Sequence, residues 1–167
     1  MADTSAEVVG IATLFDGFEH AFARWREVER APHQLDRTFI PLLEVLEWTA
    51  CIDERLETKK WISAPHLRGL RWARNRCHHD WALALEVRSW DQWKLGRNMV
   101  REPDAPDEWT WRERLPEAKP VPAHRRADEP YYESHLAGQL ARVTLNLIHH
   151  LFLVELRPLY ATASDGQ

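Results

Sequence analysis

The stretch best equipped for chemistry is Arg74-Asn75-Arg76-Cys77-His78-His79. On one helix, Asn75 and His79 stand a turn apart, and so do Arg74 and His78. Fixed positive charge then lies beside imidazoles that titrate near neutral pH. Metal-free RNA cleavage requires these groups. One imidazole removes the proton from a ribose 2′-OH or delivers one to the leaving 5′-oxygen. A guanidinium holds the phosphate through two parallel bonds and offsets the charge that develops on it. An amide such as that of Asn75 orients a base or binds a phosphate oxygen. A single helix does not easily reach both sides of a phosphate, whereas two copies packed face to face do.

Each of these residues also has a plainer use. Arg74 lies at the edge of an apolar stripe and suits an ion pair with a Glu of the preceding helix. Adjacent histidines are ordinary on a surface helix. Cys77 with His78 and His79 invites a zinc reading. Neighbouring helical residues diverge by about 100°, however, and no second ligand pair stands at metal-site spacing. No metal and no cofactor are expected. Gly-rich phosphate loops, a Gly-x-Ser-x-Gly elbow and Cys-x-x-Cys are all missing from the sequence, against nucleotide hydrolysis, serine esterase and thioredoxin-type chemistry.

The elements that must position the stretch are read from apolar spacing. Val8, Ile11, Phe15, Phe18, Phe22 and Trp25 follow at intervals of three and four after Thr4 and predict a helix that ends by Ala31, before Pro32. Leu42, Val45, Thr49, Ile52 and Leu56 predict a second helix from Thr38 to Lys59, with Pro41 in its first turn and Glu44, Glu47, Asp53 and Glu54 off the buried stripe. A third helix is predicted over residues 66–86. Its core face would carry Leu70, Ala73, Cys77, Trp81 and Ala84, and its opposite face Trp72, Asn75, His79 and Leu83. Apolar residues on both faces call for burial on both, so a second copy of the chain is the expected partner there.

Residues 96–130 contain Pro103, Pro106, Pro116, Pro120, Pro122 and Pro130, which exclude a long helix. Asn98 to Arg101 and Glu108 to Arg112 are expected to pair as a short hairpin, with Trp109 and Trp111 on one face. These large rings suit packing better than base stacking. The last helix is predicted from Gly138 to Arg157. Leu140, Val143, Leu147, Leu151 and Val154 line one side, and Leu145, Ile148, Phe152 and Leu156 another, so it belongs at the centre of a bundle. Residues 161–167 read as a disordered tail. The fold class is therefore all-α. Four to five helices form a bundle, with a Pro- and Trp-rich insertion over 96–130, in one domain of 167 residues.

Bulk properties bound the function. The net charge of −4 excludes a molecule that binds polyanions over its whole surface. The charge is uneven: residues 1–60 hold twelve acids and seven bases, and residues 66–101 hold eight bases and three acids. A local basic strip can still grip a phosphate. Cys51 and Cys77 read as small buried hydrophobes in a reducing compartment, no apolar run approaches a membrane span, and the start lacks signal-peptide character. A cytoplasmic location and no membrane partner are expected.

Arg-Asn-x-x-x-His on a late helix of an all-α bundle resembles the signature of the HEPN superfamily, an Arg, a polar residue, and a His after four to six positions. The wider segments LRGLRWARNRCHHDWALAL and LLEVLEWTACIDERL, and more loosely WTWRERLP and HLAGQLARVTL, are similar to HEPN-like proteins of bacteria and phages. The resemblance implies a homodimer whose motif helices meet in a composite site. It also implies a metal-independent endoribonuclease of toxin–antitoxin or antiphage systems, which acts on RNA and spares DNA, with a cognate antitoxin or other partner protein. Some members keep the fold without cleaving RNA and serve as interaction modules. Arg74, Asn75 and His79 match the motif as catalytic residues. His78 falls outside the pattern and is accessory, with Arg71 and Arg76 in the same strip. The acidic residue that sometimes stands upstream is Glu44 or Glu47.

Overall fold

The computed structural model describes residues 4–29, 35–59, 64–77, 80–88, 107–116 and 123–164. Helices dominate. Two long helices, α1 (Thr4–Glu29) and α2 (Leu35–Lys59), pack along their length. Ile11, Phe15, Phe18, Phe22 and Trp25 of α1 are buried against Leu42, Val45, Leu46, Ile52 and Leu56 of α2. Gly17 makes the approach possible. A Cβ there would come within 2.6 Å of the Trp48 ring. α2 starts three residues before the expected Thr38, whose hydroxyl donates back to the Leu35 carbonyl at 2.8 Å.

The third helix is shorter than its apolar spacing predicts. α3 (Pro65–Arg76) opens with Pro65 in the first turn, where a missing N–H is harmless, and stops at Arg76. Cys77 caps it, its N–H donating to the Ala73 carbonyl at 2.9 Å. The Asp80 carboxylate then accepts from the Ala82 N–H at 3.1 Å and starts a 3₁₀ turn, Trp81–Leu83. The chain continues as strand β1 (Leu85–Arg88). Leu70, Ala73, Cys77, Trp81 and Ala84 are all buried as expected, but on three successive kinds of backbone. Trp72 is also buried within its own chain, at 5% exposure, so it forms no outer apolar face; Leu83 is 38% exposed but lies beyond the helix. That removes the sequence argument for a partner on α3.

β1 pairs antiparallel with β2 (Glu108–Trp111) in the register Leu85↔Trp111, Val87↔Trp109 and Arg88↔Glu108. The Glu108 side of the expected ribbon is thus present, with residues 85–88 as its partner. Asn98 to Arg101, the partner expected from sequence, lie outside the described residues. Trp111 is fully buried, edge-on to Trp81 at 6.3 Å, and its indole N–H donates to the Thr144 hydroxyl at 3.0 Å. Trp109 lies 4.6 Å from the Phe39 ring and donates to the Thr38 hydroxyl. Both rings serve packing.

A 3₁₀ stretch, Ala123–Asp128, leads into α4 (Glu129–His135), a short helix not foreseen between the insertion and the last helix, with Pro130 in its first turn. α4 packs on α3 at Gly69, where a Cβ would stand 2.7 Å from Leu136 Cδ1 and 3.2 Å from the Tyr131 carbonyl oxygen. Finally α5 (Ala141–Ser164) runs past Pro158 and through much of the predicted tail. Leu145, Ile148, Phe152 and Leu156 are buried, but Val143, Leu147 and Val154 are 40–54% exposed. α5 therefore lies at the edge of the bundle, and the expectation of all-round burial is corrected. His149 stacks on Phe22 at 4.1 Å, a polar gap in the buried side, while His150 is exposed. Among the described residues no helix is long and apolar enough to cross a membrane.

Candidate functional site

Arg68, Arg71 and Arg74 recur every three residues on α3, so they descend one side of it. Each meets a carboxylate. Arg68 Nε donates to Asp128 at 2.7 Å, and its guanidinium lies 3.9 Å over the Tyr131 ring. Arg71 donates through Nε and Nη2 to the two oxygens of Asp53, at 2.6 and 2.8 Å. Arg74 Nη1 pairs with Glu54, and its Nη2 stands 4.0 Å from Glu47. The plainer reading of Arg74, an ion pair with a Glu of the preceding helix, is therefore present. Placement near the helix C-terminus also suits Arg74 and Arg76, because the backbone dipole is negative there.

The structure separates the two upstream acids. Glu44 pairs with Arg24 of α1, and Glu47 faces Arg74. Asn75 and Arg76 are half-buried in the last turn of α3. His78 and His79 lie outside the described residues. Among the described residues, the last turn of α3 carries Arg74, Asn75 and Arg76. Of the predicted site residues, the structure brings together Arg74 and Glu47, with Asn75 and Arg76 adjoining on the same turn. Arg71 is drawn aside by Asp53.

Sequence reasoning missed three members of this neighbourhood: Asp53, Glu54 and Cys51. The available signal was a spacing match, since Arg71 and Arg74 are three apart and two adjacent acids stand on the neighbouring helix. Cys51 is exposed rather than buried. Its thiol pKa is raised by partial desolvation and then by the Glu54 charge, while Arg74 pulls the other way. Cys77 is buried as expected, and that burial pushes its thiol up to about 11.

A second titratable group gathers at the far end of α3. The His66 and His135 rings lie 5.1 Å apart, and Tyr131 stacks on His135. Burial and then the neighbouring His135 lower the pKa of His66. Eight residues of helix, roughly 12 Å, separate His66 from Arg74. Among the described residues no group of three or more His, Cys, Asp or Glu side chains is placed to hold a metal ion. The chain matches no protein-family model, no curated protein and no solved structure.

Chemically, the neighbourhood offers a guanidinium whose two terminal nitrogens point at exposed carboxylates, with an amide on the next residue. Such a fork suits an oxyanion with two parallel acceptors.

Proposed function

We propose that the chain is a metal-independent endoribonuclease that works as a homodimer, with Arg74, Asn75 and His79 of two copies completing one composite site. The observation that carries this reading is the state of Arg74. Arg68 and Arg71 are committed to partly buried or buried carboxylates, whereas Arg74 is held at its outer edge by Glu54 and Glu47, with side chains 61% and 48% exposed. Arg74 itself is 18% exposed, so the open side of these pairs is the carboxylate side, from which Glu54 and Glu47 exchange with water. The resemblance to HEPN domains supplies the nucleolytic role, the dimer and a setting in toxin–antitoxin or antiphage defence, in the cytoplasm.

A gel assay on a mixed RNA pool tests it. Wild type should cut RNA in EDTA, leave a 2′,3′-cyclic phosphate and spare DNA, because the 2′-OH is the nucleophile. His79→Ala and Arg74→Ala should each lose about 10²-fold or more. His78→Ala should lose less. Equal cutting by wild type and His79→Ala would identify a contaminant and sink the reading. Light scattering should give a dimer mass, and a clean monomer would remove the composite site.

One observation favours a second reading, a dimeric module that binds a partner protein or RNA without cutting it. Arg68, Arg71 and Arg74 are all charge-compensated within the chain, which leaves the strip less attractive to free RNA. A stable dimer that cuts no RNA but loses partner binding in Arg74→Ala would establish that module instead.

A further inference from the structure

Asp53 and Glu54 are neighbours on α2, yet they hold two arginines of α3 in different ways. Asp53 grips Arg71 by Nε and Nη2 together, and both side chains are largely buried, at 7% and 12% exposure. Glu54 meets Arg74 at Nη1, with its own side chain 61% exposed. Arg74 Nε is itself buried and has no acceptor. The inner edge of this guanidinium is therefore closed to any ligand, and its outer edge, Nη1 and Nη2, is the one available for recognition. Two carboxylates face that outer edge, and both are about half exposed or more.

We infer that the outer edge of Arg74 is a phosphate site and that Glu54 is its resident counter-ion, displaced when a phosphodiester of RNA binds. The inference rests on the proposed RNA-directed reading and deepens it, naming the group that restrains the key arginine. The two terminal N–H groups present a parallel pair of donors, which matches two phosphate oxygens. Glu54 swings into solvent on release and keeps its hydration, so its departure is cheap. Asp53 has no such exit. Glu47 stays beside the bound phosphate and repels it, which favours RNA already held by other contacts over free phosphate.

The experiment uses the full chain and two readouts. Arginine modification by phenylglyoxal, mapped by peptide mass, reports access to Arg74 without any need for activity. Binding of a 2′-O-methyl RNA oligonucleotide, which cannot be cleaved through its 2′ position, is followed by fluorescence anisotropy across a salt series. Glu54→Gln should raise Arg74 modification and tighten RNA binding, each about 2- to 5-fold at low salt, the range set by an exposed ion pair. Glu54→Asp should stay near wild type, and RNA should protect Arg74 in every variant that binds it. Asp53→Asn serves as the contrast and should lower the melting temperature without tightening RNA binding. Unchanged Arg74 modification in Glu54→Gln, or modification that RNA does not suppress, overturns the inference. If Glu54→Gln tightens binding and Arg74 is protected while wild type cuts no RNA, the phosphate site stands and the nuclease reading falls. If cutting depends on Arg74 but Glu54→Gln changes neither binding nor modification, the nuclease reading stands and the counter-ion role of Glu54 falls.

Discussion

Asp53 and Arg71 face each other through two parallel hydrogen bonds of 2.6 and 2.8 Å and fasten α2 to α3 beneath the surface. Removing either partner strands a charge in a place where water does not compensate it. Asp53→Ala should destabilise the fold by about 3–5 kcal/mol, and Arg71→Ala similarly, because breaking a buried pair is far costlier than lacking one. Urea unfolding followed by circular dichroism measures this. A loss below about 1 kcal/mol would mean the pair is solvated.

Trp111 joins the ribbon to α5, with a fully buried ring and an N–H held by Thr144. Trp111→Ala should lose about 3–5 kcal/mol. Thr144→Val keeps the volume but orphans the indole N–H, for about 1–3 kcal/mol. Trp109→Ala should fall below Trp111→Ala, since that ring is only partly buried. The same unfolding assay ranks the three, and a reversed order for the tryptophans would place the ribbon's anchor at Phe39.

Cys51 is a resident reporter of charge around Arg74. Desolvation and then Glu54 raise its thiol pKa and Arg74 opposes them, so removing Glu54 should lower it and speed alkylation by iodoacetamide at pH 8. Arg74→Ala should slow the same reaction. Cys77, buried and raised to about 11, should not react in the folded chain. Peptide mapping after a timed quench checks all three, and equal Cys51 rates in wild type and both variants would refute the coupling.

Alkaline stability follows from Cys77. Its thiol titrates near 9.0 when unfolded and at about 11 when folded, through burial. A group raised on folding supports the native state fully below its unfolded pKa, and that support is lost as pH climbs through the folded value. Unfolding free energy should therefore be level in this respect below about pH 9 and decline as pH climbs toward 11. Tyr132, also raised by burial, adds to the decline from about pH 10 upward, where the unfolded phenol begins to lose its proton. Cys77→Ala should flatten the slope between 9 and 11 even though it lowers the plateau. An unchanged slope in that variant would assign the effect elsewhere.

Much of the bundle was legible because burial writes its period into the chain. The stripes from Ile11 to Trp25 and from Leu42 to Leu56 are the α1–α2 contact, and Leu145 to Leu156 is the inner side of α5. Cys77 shows where periodicity fails. Buried positions continue through Trp81 and Ala84 at helical spacing, so spacing alone cannot see that the helix has ended. Asp80 carried the available signal, as a short acid that captures a backbone N–H two residues on. The pairing of β2 with β1 was not foreseen, because a short local hairpin is the default and β1 lies about twenty residues upstream. In α5, two apolar sides were visible in sequence, but which one the single chain covers depends on where α1 and β2 lie. At the site, the positions of Arg71 and Arg74 were legible, and their partners were not. Asp53 and Glu54 are adjacent acids, and only the packing angle of two helices decides which is sealed in and which stays wet.

Arg88 and Glu108 are partners on one rung of the β1–β2 ladder. The chain thus departs from and returns to neighbouring positions, and the ladder closes before and after whatever lies between. Lengthening such an excursion is inexpensive, with each doubling costing about 0.6 kcal/mol in closure entropy. The closure cost that the Arg88–Glu108 rung must overcome therefore depends only weakly on how much chain lies between its two residues.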